Sequence, residues 1–343
     1  MAVGEQSREG SSRPSRPVRL DRVWSIVLAG GDGVRMRRWI LNHLGTERPK
    51  QFCTFTGTRS MLRHTLDRAA RISTAHRTYT ILGAGQRVYL EPAGCRVRSG
   101  RVLEQPRNRG TLAATFVALA HLLERDPDAL AVILPSDHYI SPEWRFIESV
   151  REAALSAEVA RDQILLFGAS PDFPETEYGW IMPRRAHAIE EPSGKGNGPV
   201  AVATFREKPT RREAQFLLES GALWNTMVAV ARAWTLWDLA QDAAPSTARA
   251  FREFRRFLQR GNGRGGDGAE GHELLRDLYE GIETCDFARD FLERVTDRTL
   301  VMPLRDVTWS DWGRPERIEQ MLSARALIAA GRRADPASRV LPC

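Results

Sequence analysis

Residues 24–29, WSIVLA, are apolar at almost every position. A strand with one wet face alternates apolar and polar residues. An unbroken run predicts a strand covered on both faces. Residues 130–134 show the same pattern, and 78–82 and 163–169 are further expected strands. Between these runs the spacing turns helical. Residues 60–72 place Met61, Leu62, Leu66, Ala69 and Ile72 near one face, and residues 143–160 do so with Phe146, Val150 and Ala154. Residues 111–126 form a strongly helical stretch that Pro127 ends. Strand and helix therefore alternate over the first 170 residues or so. This predicts an α/β fold, a Rossmann-like, mostly parallel sheet with helices on both faces. Ligands on such sheets bind beyond the carboxyl ends of the strands. The turns after 24–29 and 130–134 are where function is expected.

The rhythm then loosens. Strands are expected at 200–205, 227–232 and 299–304, and helices at 210–220 and through most of 231–258. Residues 262–271 read as a flexible loop, and a last helix enters near Pro315, a favourable first-turn proline. No internal repeat is found. The expected organisation is a disordered tail at 1–22, one domain at 23–330 and a flexible tail at 331–343.

Composition narrows the class. No apolar run approaches the ~18 residues of a membrane span. The opening residues lack the apolar core of a secretory signal. Cys53, Cys95, Cys285 and Cys343 fall into no metal or disulfide spacing, which suits a reducing cytoplasm. The formal net charge is +7, but the basic residues are scattered rather than gathered in a stripe. That reads as a solvated surface, not a nucleic-acid footprint. Of the 50 basic residues only Lys50, Lys195 and Lys208 are lysines, and the other 47 are arginines. A lysine in such a chain marks a candidate for a compact point charge. Lys195 lies in the loop PSGKGNGP and reads as incidental.

The turn after the first strand, AGGDGVR, holds Gly30, Gly31, Gly33 and Arg35. It is not a dinucleotide fingerprint, because Met36 stands where the third glycine belongs. It is not a Walker A loop, which needs Gly-Lys-Ser/Thr. What remains is either a plain tight turn or a glycine turn whose backbone N–H groups cup phosphate oxygens, with Arg35 adding charge.

Read with later segments, the turn resembles a known family. AGGDGVR is followed in order by ERPKQF (47–52), EQPRNRGTLAA (104–114), LPSDHYI (134–140), PETEYGWI (174–181), FREKP (205–209), LWNTM (223–227) and WSDWG (309–313). Together these blocks resemble the sugar-1-phosphate nucleotidyltransferases, the nucleoside-diphosphate-sugar pyrophosphorylases, and most of all their mannose-1-phosphate guanylyltransferase branch. The resemblance covers about residues 24–325. It implies a nucleotide-binding α/β domain with sugar-binding insertions near 171–235 and a helical, C-terminal part at 236–330. It implies Mg2+-assisted transfer of a nucleotidyl group from an NTP, GTP favoured, to a sugar 1-phosphate, mannose 1-phosphate favoured. These two substrates are the expected partners; a homo-oligomer is left open.

The resemblance also implies roles. Arg35 would meet the triphosphate in the Gly30, Gly31, Gly33 turn, Lys50 would lie near the α-phosphate, and Lys208 would bind the sugar phosphate. Asp137 and Asp311 would hold the metal. Gln105 and Pro106 would meet the base, with Gly110 and Thr111 beside them. Tyr178 and Gly179 would lie under the sugar, and Glu207 and Asn225 would bond its hydroxyls. The residues themselves support part of this. Asp137 directly follows an apolar sheet strand, and a carboxylate suits a hard cation. Asp311 taken alone reads first as a turn aspartate ahead of Gly313 and Pro315. Ser136 and His138 are given no chemical role, since an anionic phosphate needs neither covalent nucleophile nor base. Trp224 reads as core or pocket wall.

Departures from the family pattern are specific. Val34 replaces a threonine, MRRWILNHLGTE replaces the usual L-W-P-L, and QP replaces EP at the base segment. PETEYGW stands for PETGYGY, and GIETCDF for SIDY. The alternative reading is a non-catalytic nucleotide-sugar-binding regulatory or partner subunit of the same fold. Retention of Arg35, Lys50, Asp137, Lys208 and Asp311 weighs against it.

Overall fold

Strand β1 (Val23–Ala29) lies between two parallel neighbours, β2 (Thr78–Leu82) and β4 (Leu130–Pro135). This is why its sequence is apolar at almost every position. Trp24 and Ile26 enter one hydrophobic cluster, and Val23, Val27 and Ala29 enter another on the opposite face. The first cluster is closed by α3 (Gly110–Arg125), α6 (Ala233–Ala243), α7 (Pro245–Arg260) and α8 (Ala269–Gly281). The second is closed by α2 (Met61–Ala69), α4 (Glu143–Val159) and α5 (Arg211–Glu219).

The structure is a computed structural model, and it describes residues 20–97, 101–184, 198–261 and 268–323. The expected tails through residue 19 and at 331–343, the segment around Lys195 and most of the expected 262–271 loop lie outside these residues. Leu20–Arg22 form a short 3-10 turn. Among the described residues, no helix is long and apolar enough to cross a membrane.

The expectation of a Rossmann-like, mostly parallel sheet is corrected. The remaining strands of this sheet are β3 (Val102–Glu104), β6 (Ile164–Ala169), β7 (Gly179–Pro183), β8 (Val200–Glu207), β9 (Leu223–Arg232) and β10 (Thr299–Pro303). The order is β3-β2-β1-β4-β9-β6-β10-β8-β7, and β7 pairs back onto β9. Strands β9, β6, β10, β8 and β7 thus close into a five-stranded barrel of mixed direction, with β4, β1, β2 and β3 extending from it. Parallel pairing holds for β3–β2–β1–β4 and β6–β10, while β9 runs antiparallel to β4, β6 and β7.

Closure depends on β9. Its carboxyl half pairs with β4 from Ala229 to Arg232, and its amino end pairs Leu223 and Trp224 with β7. The register against β6 shifts between Leu166 and Gly168. Such an irregularity bends a strand and lets it serve two surfaces. Gly168 permits the close approach, for a Cβ there would lie 2.6 Å from Leu223 Cδ1. Met227, at φ 56°, occupies the shifted stretch.

Two further differences are local. Residues 231–258, expected to be mainly helical, divide into α6 and α7 at Ala244–Pro245. The stretch replacing L-W-P-L folds as a helix, α1 (Arg37–Leu44), ended by Gly45 at φ 62°. Residues 315–323 form a helix, α9, beginning at Pro315.

Candidate active site

A cavity of about 300 Å³ opens beyond the carboxyl ends of β1 and β4. Gly30, Gly31, Gln105, Gly110, Thr111 and Asp137 all line it, so residues from three separate sequence blocks meet there. Gln51, Asn108, Ser136, Met227 and Asp286 complete much of the wall.

The glycine turn is held from beneath by amides. Gln51 Nε2 donates to the carbonyls of Ala29 and Gly31, both at 2.8 Å, and Gln86 Nε2 donates to Gly31 O at 3.2 Å. These carbonyls are thereby occupied by protein donors. Gly30 is required by space, because a Cβ would fall 2.6 Å from Gln105 Nε2. Gly33 is required by conformation at φ +61°, and a Cβ on it would lie 3.1 Å from the Lys50 backbone nitrogen. Gln51 lies inside the PKQF block but was not singled out from sequence. Gln86 carries no sequence signal at all.

Helix α3 points its amino end at the cavity. Gly110 has φ +85°, and a Cβ on it would meet Cys285 O at 2.3 Å. Only glycine suits both demands. The Thr111 hydroxyl accepts from Phe287 N at 2.9 Å, tying the helix start to the segment that begins at Cys285. Gln105 is buried, and its Oε1 accepts from the Tyr279 hydroxyl at 3.2 Å. That contact turns the amide nitrogen toward the glycine turn. Pro106 follows in the bend after β3 and is not among the cavity-lining residues.

The charged centre sits beside the cavity. A two-stranded ribbon of β5 (Tyr139–Ser141) and β11 (Thr308–Ser310) pairs Tyr139 with Ser310. It brings the backbone just after Asp137 alongside that just before Asp311. Lys50 lies between them, with Nζ 2.8 Å from Asp137 Oδ2 and 2.6 Å from Asp311 O. Asp311 Oδ1 accepts from Tyr178 OH at 2.7 Å, from Gly313 N at 2.9 Å and from Arg317 at 2.5 Å. Burial pushes the Asp311 carboxyl up, but Lys50, Arg317 and Tyr178 outweigh it and hold the group down at about 2. Burial likewise raises Asp137, and Lys50 and then His138 bring it below the ordinary carboxylate value. Both groups are ionised at neutral pH. His138 is lowered to about 4 by burial, against the pull of Asp137 and Asp311, and its Nδ1 accepts from Trp309 Nε1 at 3.3 Å.

Among the described residues, no group of three or more His, Cys, Asp or Glu gathers as a ready metal site. Two ionised carboxylates are nevertheless a suitable protein share for Mg2+, which keeps waters and takes substrate phosphate oxygens for the rest.

The remaining expected residues cluster at the barrel end. Gly179 begins β7, and a Cβ there would lie 2.6 Å from Glu207 Oε2 and 3.2 Å from Asn225 Cβ. Asn225 Oδ1 accepts from Met227 N at 3.0 Å, so this side chain also braces the shifted stretch of β9. Glu207 is raised to about 7, by burial first and Asp286 second. Lys208 is half exposed at φ 48°, with Nζ 3.8 Å from Glu207 Oε1. Lys208, Met227 and Trp312 all have positive φ, a concentration of backbone strain around one region. Trp224 is buried against Phe173, Tyr178 and Trp180. Arg35 is not among the cavity-lining residues; its guanidinium contacts Glu177 at 2.9 Å.

Comparison with known proteins gives consistent matches. The sequence profile described as nucleotidyl transferase matches residues 24–325. The xanthan biosynthesis protein XanB of Xanthomonas campestris pv. campestris (strain B100) is 31% identical over 299 residues, 86% of this chain and 58% of that protein. A mannose-1-phosphate guanylyltransferase of Salmonella montevideo is 33% identical over 218 residues, 62% of this chain and 43% of that protein. A crystal structure described as mannose-1-phosphate geranyltransferase from Thermus thermophilus matches with a TM-score of 0.67 and 25% identity, over 85% of this chain and 76% of that one. The chain thus spans about half the length of these curated relatives.

Proposed function

We propose that this chain, which belongs to the nucleotidyl transferase family, transfers a nucleotidyl group from a nucleoside triphosphate to a sugar 1-phosphate and releases pyrophosphate. The observation that carries this reading is Lys50, held between Asp137 and Asp311 at the edge of a cavity walled by the glycine turn and Gln105. That arrangement suits a reaction between two anions.

An oxygen of the sugar phosphate attacks the α-phosphorus as the bond to the β-phosphate oxygen breaks, in line. No general base is needed, because the attacking oxygen is already ionised. Lys50 offers a point charge to the α-phosphate, where charge gathers. The Gly30–Gly33 turn and the amino end of α3 offer backbone N–H groups and a favourable dipole to the nucleotide. Gln105 presents its amide nitrogen to an acceptor on the base. Glu207 and Asn225 read sugar hydroxyls, with Gly179 leaving room for the ring, and Lys208 meets the sugar phosphate. Asp137 and Asp311 are the residues that would hold Mg2+. When bound, the cation would neutralise phosphate charge and fix the triphosphate geometry.

GTP and mannose 1-phosphate are the favoured substrates. The similarity to the Salmonella guanylyltransferase supports both. The test is a panel of four NTPs against several sugar 1-phosphates, with pyrophosphate release as readout. GTP with mannose 1-phosphate should give the highest kcat/KM. Turnover with another pair would replace the substrate assignment and keep the reaction. Tight GTP binding with no turnover on any sugar would overturn the reaction in favour of a regulatory subunit.

A further inference from the structure

Glu177 stands in the PETEYGW segment where the commoner family form has glycine, and its carboxylate serves two arginines. Arg314, beside the start of α9, forks onto it, with Nε 2.9 Å from Oε2 and Nη2 2.5 Å from Oε1. Arg35, from the glycine turn, reaches it by one contact, Nη1 to Oε2 at 2.9 Å. The backbone that carries it is anchored as well. Glu177 N donates to Glu175 Oε1 at 2.8 Å, and Glu175 is paired with the nearly buried Arg317. A fixed post therefore holds one arginine by two bonds and the other by one.

The side chain of Arg35 is 65% exposed, so little packing directs it. Its contact with Glu177 is the ion pair that sets where the guanidinium points. In that position the guanidinium is not among the residues that line the cavity.

We propose that Glu177 is a positioning residue that holds Arg35 away from the phosphate site until a polyphosphate draws it off. The proposal rests on the reading of Arg35 as a triphosphate ligand. A triphosphate carries more charge than one carboxylate and can accept two parallel guanidinium bonds, so it outcompetes the single contact. Glu177 is not left bare by the exchange, because the Arg314 fork still compensates it. The exchange is thus a hand-off that leaves Glu177 paired and returns when the polyphosphate departs. It subtracts from polyphosphate affinity by the strength of the exposed pair.

Tripolyphosphate, titrated calorimetrically without magnesium, is the probe. It is applied to the wild type, Glu177→Gln, Arg35→Gln and the double variant. Glu177→Gln should bind roughly two- to fivefold more tightly than the wild type, the range that freeing one exposed ion pair supplies. Arg35→Gln should bind more weakly, and adding Glu177→Gln to it should restore nothing. That last arm separates a hand-off from the general effect of removing a negative charge, which would persist without Arg35. Glu177→Gly supplies a second variant should the glutamine disturb the segment, and the same gain is expected. Equal or weaker binding by both Glu177 variants, or a gain that survives in the Arg35→Gln background, would overturn the proposal. The titration needs no base, sugar or turnover. Absence of turnover in the substrate panel therefore counts against the functional reading alone, and a flat response to Glu177→Gln in an active enzyme counts against the hand-off alone.

Discussion

Glu207→Gln is expected to stabilise the protein, and to do so more at pH 8 than at pH 5. The Glu207 side chain ends β8 with only 9% of its surface exposed. Burial is the main force raising its carboxyl; Asp286 and Glu293 add to it, and Lys208 and Arg289 oppose it. The outcome is about 7, against an ordinary 4.5. Between those values the folded chain keeps a proton that the unfolded chain has lost. Stability therefore falls as pH rises through this window. Below it, both states are protonated and the residue costs nothing. Above it, both are ionised and the full deficit remains. At about 1.4 kcal/mol per tenfold, the gap amounts to about 3 kcal/mol. Glutamine mimics the protonated carboxyl at every pH. The variant should thus exceed the wild type by about 1 kcal/mol at pH 5 and about 3 kcal/mol at pH 8. Urea unfolding of both proteins at the two pH values, followed by tryptophan fluorescence, measures the difference. An advantage that does not grow with pH, or a wild type more stable at pH 8, would refute the argument from burial.

Three further outcomes are expected. Asp137→Ala should retain the folded circular dichroism spectrum and lose about a hundredfold or more in pyrophosphate release, because a carboxylate proposed to hold the cation is gone; near wild-type turnover would remove Asp137 from the reaction. Tyr279→Phe leaves the buried Gln105 Oε1 without its donor, which should cost about 1–3 kcal/mol of stability. It should also narrow the spread of kcat/KM among GTP, UTP, dTTP and ATP, and unchanged ratios would show that Tyr279 does not orient Gln105 for the base. Gly110→Ala forces a Cβ to within 2.3 Å of Cys285 O at φ +85° and should cost about 2 kcal/mol or more; an unshifted thermal transition would contradict that close packing.

Much of the candidate site was readable in the chain because its parts are local. A glycine turn after a buried strand, a lysine in an arginine-dominated chain and an aspartate just past a strand are each visible within a few residues, and it is the order of the blocks along the chain, read as a resemblance, that suggests their roles. The buried strands were equally plain. Residues 130–134 are apolar throughout because the sheet is covered on both faces, and the pattern records that covering directly.

What tertiary structure alone decided is long-range pairing. Apolar runs state that a strand is buried but not which neighbour it meets or in which direction. That is why an expected mostly parallel sheet proved to be a mixed one closed into a barrel through β9. The closing device is a register shift opposite Gly168, and a lone glycine in a strand does not announce its partner. The same limit applies to side chains. Gln86 beneath the glycine turn, Tyr279 against Gln105 and Glu177 between Arg35 and Arg314 act across 55, 174 and as many as 142 positions of chain. Local sequence determines the conformation and chemistry each residue can offer. Only the packed fold determines which distant group receives it, because hydrogen bonds and ion pairs depend on distances that the chain order does not contain.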